Sequence, residues 1–284
     1  MEPTKVKAFV VYLSPAGSTK RAANIIVEAL RAAGIEPLIL DLKETDRSPE
    51  FFDRLTEAGT NALLFVGTPV YVGHAVPPVD TFLQKISMLG KGTAVPFAVW
   101  GAVCSGLTLM EMAGKLIQKG FAIGGAAGIL GQHSQMWFCE EPLAKGHPNK
   151  ADAELLKKLV AEVLKNLFSP DPRGLSLEAL NYLPEPVQKM FQQNNLAKAA
   201  QHLPRRIVKQ ETCTKCGTCL NVCPVGAIAY TPYPVFQKHC ILCFNCVRCC
   251  PEKAIEADVA KVATMVRQRA EAHMETPESR LFLP

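Results

Sequence analysis

The sequence CTKCGTCLNVCP occupies residues 213–224, and CILCFNCVRCCP follows it at residues 240–251. Each stretch spaces its cysteines as C-x₂-C-x₂-C-x₃-C and continues into proline. This spacing wraps a chain around a cube of four irons and four sulfides, written [4Fe–4S]. Because the motif occurs twice, it predicts two such clusters and a protein that transfers electrons.

The fourth cysteine of each stretch is expected to ligate the cluster of the other stretch. The local turn aims it away from the cube that the first three cysteines surround, and proteins with two such clusters exchange their fourth ligands. The set that we call site I consists of Cys213, Cys216, Cys219 and Cys250. The set that we call site II consists of Cys240, Cys243, Cys246 and Cys223.

Cys249 makes the second stretch ambiguous, because a C-x₂-C step also leads to it. Proline follows Cys250 just as it follows Cys223, so Cys250 is the better ligand candidate. Cys249 is then expected to be a small buried residue beside the cluster. A spare ligand or a redox-sensitive thiol is the alternative for this residue.

Two other uses of the cysteines fit less well. Zinc sites pair C-x₂-C knuckles across a longer loop, and each stretch has one cysteine too many for a single knuckle. A disulfide framework needs an oxidising compartment, whereas Met1-Glu2-Pro3 leads into a strand-like run without the features of a signal peptide. Eleven cysteines without a secretory signal favour a reducing cytoplasm, and oxygen-labile clusters favour an anaerobic or microaerobic organism.

Residues 6–168 alternate strand-like and helix-like patterns, which predicts a parallel α/β sheet. The strand-like runs are Val6–Leu13, Glu36–Leu42, Ala62–Gly67, Ala94–Trp100 and Phe121–Ile129. Helical patterns lie between these runs and after the last one, where Ala151–Phe168 is the clearest. Five strands and five helices fit a flavodoxin-like doubly wound sheet with strand order 2-1-3-4-5.

The loop Ser14–Thr19 joins the first strand to the first helix. Backbone N–H groups and the positive end of a helix dipole converge on an anion at such a place. The candidate phosphate contacts are Ser14, Ala16, Gly17, Ser18 and Thr19. The loop is neither a Walker loop nor a dinucleotide-binding glycine motif, and a capped helix start is the alternative explanation.

Two more loops follow the third and fourth strands, next to the point where the strand order reverses and such folds bind ligands. Each offers glycines for close backbone approach and an aromatic side chain that could cover a flat ring. The candidate contacts are Thr68, Pro69, Val70, Tyr71 and Gly73 in the first loop, and Trp100, Gly101, Cys104 and Gly106 in the second. Ordinary core roles for Tyr71, Trp100 and Cys104 are the alternatives.

Together, Ser14–Thr19, the stretch GTPVYVG at residues 67–73 and the two cysteine stretches resemble bacterial and archaeal flavodoxin–ferredoxin fusion proteins. The resemblance covers nearly the whole chain, and GHPNKAD at residues 146–152 also resembles the family's approach to its last flavodoxin helix. It implies an N-terminal flavodoxin-like domain that binds FMN. It also implies a C-terminal α+β ferredoxin domain of bacterial type that binds two [4Fe–4S] clusters.

The phosphate loop departs from the family's pattern at two positions. Ala16 stands where a threonine is usual, and Ser18 stands where an asparagine is frequent. One hydroxyl contact to the phosphate is therefore lost. This departure leaves open a flavin-free ferredoxin in which the flavodoxin-like half is a docking module.

The predicted domain organisation follows from these segments. The flavodoxin-like domain takes residues 1–168, and a linker with prolines and a helix at Val187–Leu203 takes residues 169–206. The ferredoxin domain takes residues 207–257, and a helix at Val259–Met274 with a tail takes residues 258–284. A linker of this composition is stiffer than a glycine and serine tether, so the clusters are expected to stay near the flavin.

The net charge of +5 is balanced by the predicted cofactors. Each oxidised cluster with four thiolates carries about −2, and a flavin phosphate adds about −2. The basic residues therefore give no reason to expect nucleic acid as a partner. Arg205, Arg206 and Lys209 form a small basic patch before site I, which is either a solvated linker face or a dock for an acidic redox partner.

The leading functional prediction is a cytoplasmic electron relay between FMN, the two clusters and redox partner proteins. The alternative is a flavin-dependent oxidoreductase in which the clusters supply electrons for a small substrate. Only Lys215 and Arg248 are charged within the ligand stretches, so an apolar shell and negative, ferredoxin-like potentials are expected. The sequence has no apolar run of membrane-spanning length, and it leaves a homodimer open.

Overall fold

A computed structural model describes residues 6–44, 47–87, 92–273 and 275–284 of the chain. Two features of the sequence analysis lie outside these residues. They are the N-terminal start at Met1-Glu2-Pro3 and the predicted last residue of the final helix, Met274.

A parallel sheet with helices on both faces forms the first part of the chain. Its main strands are β1 (Lys7–Tyr12), β2 (Leu38–Asp41), β3 (Ala62–Tyr71), β5 (Thr93–Trp100) and β7 (Ala126–Leu130), with the short strands β4 (His74–Ala75) and β6 (Ala122–Ile123) beside them. The order β2-β1-β3-β5-β7 confirms the predicted flavodoxin-like order 2-1-3-4-5. The helices are α1 (Ser18–Ala32), α2 (Ser48–Ala58), α3 (Pro77–Lys85), α4 (Thr108–Gln118) and α5 (Lys150–Leu167).

The apolar run of β1 has residues on both faces of the sheet. Phe9 and Val11 belong to one core with α2, α3 and α4, whereas Ala8 and Val10 belong to another core with α1 and α5. A strand of a parallel sheet is covered on both faces, so an unbroken apolar sequence suits it. The same two-sided burial explains the apolar runs of β3 and β5.

Two predicted elements are divided in the structure. The run Phe121–Ile129 becomes β6 and β7, because Gly124 and Gly125 separate them and a side chain at Gly125 would meet Leu159 and Val163 at 3.2 Å. The predicted linker helix Val187–Leu203 is also wrong as one helix.

The linker contains two helices, α6 (Glu185–Gln192) and α7 (Leu196–His202). The side chain of Asn195 accepts a hydrogen bond from the backbone N–H of Lys198 at 2.9 Å and caps the second helix. Asparagine favours such a cap over a helix interior. The break lets the two helices turn over the carboxyl end of the sheet.

The two cysteine stretches form a pseudo-symmetric pair of short elements. The elements are β8 (Ile207–Val208), α8 (Thr218–Asn221), β9 (Ile228–Tyr230), β10 (Pro234–Phe236), α9 (Asn245–Arg248) and β11 (Ile255–Glu256). Strands β9 and β10 pair antiparallel, as do β8 and β11. Residues from both stretches share one core, in which Cys219, Ile228, Cys246 and Ile255 are buried.

The end of the chain returns to the sheet. Helix α10 (Val259–His273) packs Val262 and Val266 against Met136, and β12 (Arg280–Phe282) then pairs antiparallel with β7 as a further strand. The hydroxyl group of Ser279 binds Asp152 and accepts a hydrogen bond from the backbone N–H of Leu130. This sheet contact had no counterpart in the sequence pattern. Among the described residues, no helix is both long and apolar enough to cross a membrane.

Candidate functional site

A cavity of about 560 Å³ lies at the carboxyl ends of the parallel strands. Most of the predicted flavin contacts line it: Ser14, Ala16, Ser18, Thr19, Pro69, Val70, Tyr71, Gly73, Trp100, Gly101 and Cys104. The three loops that the sequence analysis selected therefore converge on one space.

The other three predicted contacts have structural positions beside the cavity. Gly17 precedes α1 with a φ of 95°, a conformation that favours glycine. The hydroxyl group of Thr68 donates to its neighbour Pro69 and accepts from the N–H of Val76, so it is used within the protein. Gly106 packs so closely on Gly73 that an added side-chain carbon would lie 2.2 Å from that backbone.

The predicted phosphate loop, Ser14–Thr19, lies at the amino end of a helix. It leads into α1, a helix of 15 residues, whose first N–H groups have no partner inside the helix. One of them, the N–H of Lys20, donates to the hydroxyl oxygen of Ser14 at 2.9 Å. Ser14 and Ser18 line the cavity together with Thr19, which is itself buried.

The segment 67–73 is a hairpin rather than a loop beyond the strand. Strand β3 continues to Tyr71, which pairs with His74 of β4. Between them Val72 and Gly73 both have positive φ, 50° and 89°, as the tight two-residue turn of a hairpin requires. A side chain at Gly73 would meet the ring of Phe191 at 2.1 Å, so this glycine lets the linker approach.

The two aromatic candidates differ in what they offer the cavity. Trp100 is only 2% exposed and packs with Ala102 and Leu130, so it serves the core while one side lines the cavity. The hydroxyl group of Tyr71 is buried and makes no hydrogen bond with the residues that the structure describes. Burial raises the pKa of Tyr71 strongly. The hydroxyl group is therefore neutral.

Part of the outer wall of the cavity was not predicted from the sequence. It comes from the linker, the second cysteine stretch and the last helix, with Phe191, Leu196, Ala199, Ile241, Leu242, Val266, Arg269 and His273 among its residues. No periodic pattern marks these residues as neighbours of the flavin loops. His74 attaches the linker, because its ring contacts Glu111 at 2.9 Å and the carbonyl group of Phe191 at 2.9 Å.

The cysteines of site I come together as the spacing predicts. Cys213, Cys216, Cys219 and Cys250 line one small pocket. Cys216 is exposed, and hydrogen bonding to Thr218 lowers the pKa of its thiol. Cys250 of the second stretch therefore lies beside the first three cysteines of the first stretch, as the predicted exchange of fourth ligands requires.

The cysteines of site II are close to one another and more deeply buried. Burial raises the pKa of Cys243 to about 12, and Cys240, Cys246 and Cys223 lie near enough to add to the rise. Burial likewise raises the pKa of Cys246 to about 11. Iron would have to bind these groups as thiolates, so the metal itself must offset the cost of the buried charge.

Backbone and side-chain donors contact the sulfur atoms. The N–H of Ala227 donates to Cys223 Sγ at 3.2 Å, and the N–H of Ala254 donates to Cys250 Sγ at 3.3 Å, so the two stretches repeat this contact. Among the described residues, no three His, Cys, Asp or Glu side chains are placed to hold a single metal ion. Each iron of a four-iron cluster takes one cysteine, so the four sulfurs need not share one point.

The basic patch expected before site I does not form as a surface patch. Arg206 turns inward, where its Nη1 donates to Cys240 Sγ at 3.0 Å. Lys209 forms an ion pair with Glu256 across β8 and β11. Arg205, the third of these residues, is exposed.

The second cysteine stretch also contacts the phosphate loop directly. The side chains of Asn245 and Arg248 both donate to the carbonyl oxygen of Pro15, the latter at 3.3 Å. Gln135, from the cavity wall, donates to the carbonyl oxygen of Leu242 at 3.0 Å. Site II and the cavity therefore share one hydrogen-bonded boundary.

Comparison with known proteins agrees with this architecture. The family model described as a 4Fe-4S binding domain matches residues 206–229. An uncharacterised protein of Methanocaldococcus jannaschii is 27% identical over 164 residues, which are 57% of this chain and all of that protein.

Two solved structures are similar to part of this chain. A flavodoxin from the domain Archaea is 20% identical, with a TM-score of 0.45, over 58% of this chain and 100% of its own. The rubredoxin oxygen:oxidoreductase of Desulfovibrio gigas is 21% identical, with a TM-score of 0.46, over 64% of this chain and 38% of its own. The strand order of the sheet is flavodoxin-like, and a 4Fe-4S binding domain follows it in the chain. Iron–sulfur binding gives the chain a role in electron transfer.

Proposed function

We propose that this chain relays electrons between FMN bound in the cavity and two [4Fe–4S] clusters bound at sites I and II, and onward to a redox partner protein. One observation carries the proposal. Ile241 and Leu242 line the cavity and lie between the site II ligands Cys240 and Cys243. A flavin exchanges two electrons and can release them singly, whereas each cluster carries one.

The cavity residues fit a phosphorylated flavin. The amino end of α1 would hold the phosphate, with the hydroxyl groups of Ser14, Ser18 and Thr19 around it. The hydroxyl of Tyr71, which makes no hydrogen bond within the described part of the chain, would find a polar partner in the ring or the ribityl chain. Leaving this group unpaired in a buried site costs about 1–3 kcal/mol, which a bound ligand would recover.

The cysteine sites fit iron–sulfur clusters. Site I has its four thiols around one pocket, and site II has its four thiols close enough to shift one another's pKa. The N–H groups of Ala227 and Ala254 reach the exchanged ligands Cys223 and Cys250. Such hydrogen bonds to sulfur stabilise the charge of a reduced cluster.

The arrangement supports one order of the sites along the electron-transfer route. Site II borders the cavity, and site I lies beyond it with the exposed residue Cys216. Electrons would pass between the cavity and site II, then between sites II and I, and leave or enter at the surface near Cys216. A redox partner protein would dock there.

Cofactor analysis of the anaerobically purified chain tests the proposal. We expect about eight irons and one flavin per chain, and photoreduction of the flavin should reduce both clusters. Eight irons without flavin would instead support a docking role for the flavodoxin-like half. Four irons or fewer would contradict the two-cluster relay.

The substitution Ala16→Thr tests the flavin site separately. It restores a hydroxyl group to the phosphate loop, and one added hydrogen bond of about 0.5–1.5 kcal/mol should tighten FMN binding roughly twofold to tenfold. Ala33→Thr, at the far end of the same helix, is the control and should leave FMN affinity unchanged. Unchanged affinity in A16T would place the phosphate elsewhere.

A flavin-dependent reductase is the second candidate, and one observation favours it. Arg269 and His273 of α10 line the cavity, where they could bind an anionic substrate. Turnover of small anionic acceptors by the reduced chain, lost in Arg269→Gln, would support this reading. Reduction of partner proteins alone would support the relay.

A further inference from the structure

Arg206 connects the linker to site II. It is the last residue of the predicted linker, and its guanidinium Nη1 donates to Cys240 Sγ at 3.0 Å. The guanidinium lies 4.3 Å from the ring centre of Phe236 and 5.8 Å from that of Phe244. Stacking on aromatic faces and a rigid fork of donors hold an arginine in one orientation, so this cation has a fixed place beside a site II ligand.

Site I has a different set of neighbours. The hydroxyl group of Tyr230 lies 3.6 Å from Cys219 Sγ, and the hydroxyl group of Thr218 lies 3.3 Å from Cys216 Sγ. Lys215, the lysine inside the first stretch, has its ammonium group 4.6 Å above the ring of Tyr233. Neutral hydroxyl groups thus contact the sulfurs of site I, where site II has a guanidinium.

We propose that Arg206 raises the reduction potential of the cluster at site II relative to that at site I, and so holds the transferred electron beside the cavity. This inference rests on the proposed function, since it requires a cluster at each site. Reduction adds one negative charge to a cluster. A permanent cation that donates to a ligand sulfur stabilises that charge, and hydrogen bonds to sulfur are among the factors that set cluster potentials.

Burial makes the cation matter more at site II. Ile241, Leu242, Phe244 and Asn245 are all buried around its ligands, and a charge interacts more strongly where the surroundings are less polarisable. Burial alone would disfavour the reduced, more negative cluster. Arg206 therefore counteracts the surroundings that the cavity imposes on site II.

The test is an anaerobic redox titration followed by electron paramagnetic resonance, with iron content measured in each sample. Arg206→Gln should lower the midpoint of one cluster and leave the other in place. We expect the equilibrium distribution of one electron between the two sites to change about tenfold. This change corresponds to a shift of about 59 mV in the difference between the two midpoint potentials. Arg206→Lys keeps the charge but loses the fork, so it should give a smaller shift.

Two control variants assign the signals. Arg205→Gln removes the neighbouring exposed arginine and should shift neither midpoint. Tyr230→Phe removes the hydroxyl group beside Cys219 and should shift only the cluster that R206Q leaves unchanged.

An unchanged midpoint in R206Q with full iron content would overturn the inference, as would an equal shift of both midpoints. If R206Q loses iron at site II, the potential of R206K decides: a lowered midpoint supports the inference and a wild-type midpoint overturns it. An iron-free wild-type chain would instead refute the proposed function itself.

Discussion

Sites I and II share one cysteine spacing but lie in opposite surroundings. Around site I, Thr214, Lys215 and Cys216 are exposed. The corresponding positions of the second stretch include Ile241 and Leu242, which are buried against the sheet and α7. One copy of the motif therefore faces solvent, and the other faces the cavity.

The backbone of the two copies is nevertheless the same. Lys215 has a φ of 57° and its counterpart Leu242 has 61°, while Gly226 has 61° and its counterpart Lys253 has 51°. The turns around the two sites thus share these backbone angles, even where the residue has a side chain that is unsuited to positive φ. The comparison shows that the motif sets the shape of a site, and its neighbours set the role of that site.

The largest effect should come from the exchanged ligands. Cys250 belongs to the second stretch, but Cys250→Ala should remove the cluster of site I, because this cysteine is the expected fourth ligand there. Cys223 belongs to the first stretch, and Cys223→Ala should for the same reason remove the cluster of site II. Each variant should lose about four irons, with spectra that differ between the two. Cys249→Ala should keep both clusters. Loss of the same cluster in both variants would contradict the exchange of fourth ligands.

The two clusters should lose iron at different rates, because the ligands of site I are more exposed to solvent than those of site II. A strong chelator reaches the exposed Cys216 directly, whereas site II opens only when the packing of the second stretch on the sheet opens. We expect iron to leave site I at least about tenfold faster, since even a 1.4 kcal/mol opening cost slows release by that factor. Biphasic iron release followed by resonance spectra measures this, and equal rates would contradict it.

A smaller effect is expected at the contact between site II and the phosphate loop. Asn245 is buried and donates to the carbonyl oxygen of Pro15, so Asn245→Ala should lower the free energy of unfolding by about 1–3 kcal/mol and weaken FMN binding. The matched variant Thr218→Ala, at the corresponding position of the first stretch, should leave FMN binding intact. Denaturant unfolding and flavin titration distinguish the two variants.

The smallest effect concerns the shared backbone. Lys253→Gly places at residue 253 the residue type that its counterpart Gly226 has at a positive φ. Relief of the left-handed strain should outweigh the added chain entropy of glycine and raise the free energy of unfolding by about 0.5–1 kcal/mol. Gly226→Lys should destabilise the chain by a similar or larger amount. A lower free energy of unfolding in K253G would mean that the exposed lysine contributes contacts of its own.

Local patterns in the sequence predicted the two cysteine sites, the main strands of the sheet and the place of the phosphate loop. These features follow from residue spacing, because a turn around a cluster or a two-sided strand constrains residues that are close along the chain. They also placed Tyr71 and Trp100 at the end of the sheet where the cavity forms.

Only the tertiary structure decided what surrounds those sites. Arg206 reaches Cys240, Asn245 reaches Pro15, and β12 joins β7 across long separations in sequence. Such contacts depend on how whole elements pack, and they leave no periodic signal in the residues that make them. The two cysteine stretches are nearly identical in spacing. The difference between their surroundings therefore depends on residues that only the folded chain brings together.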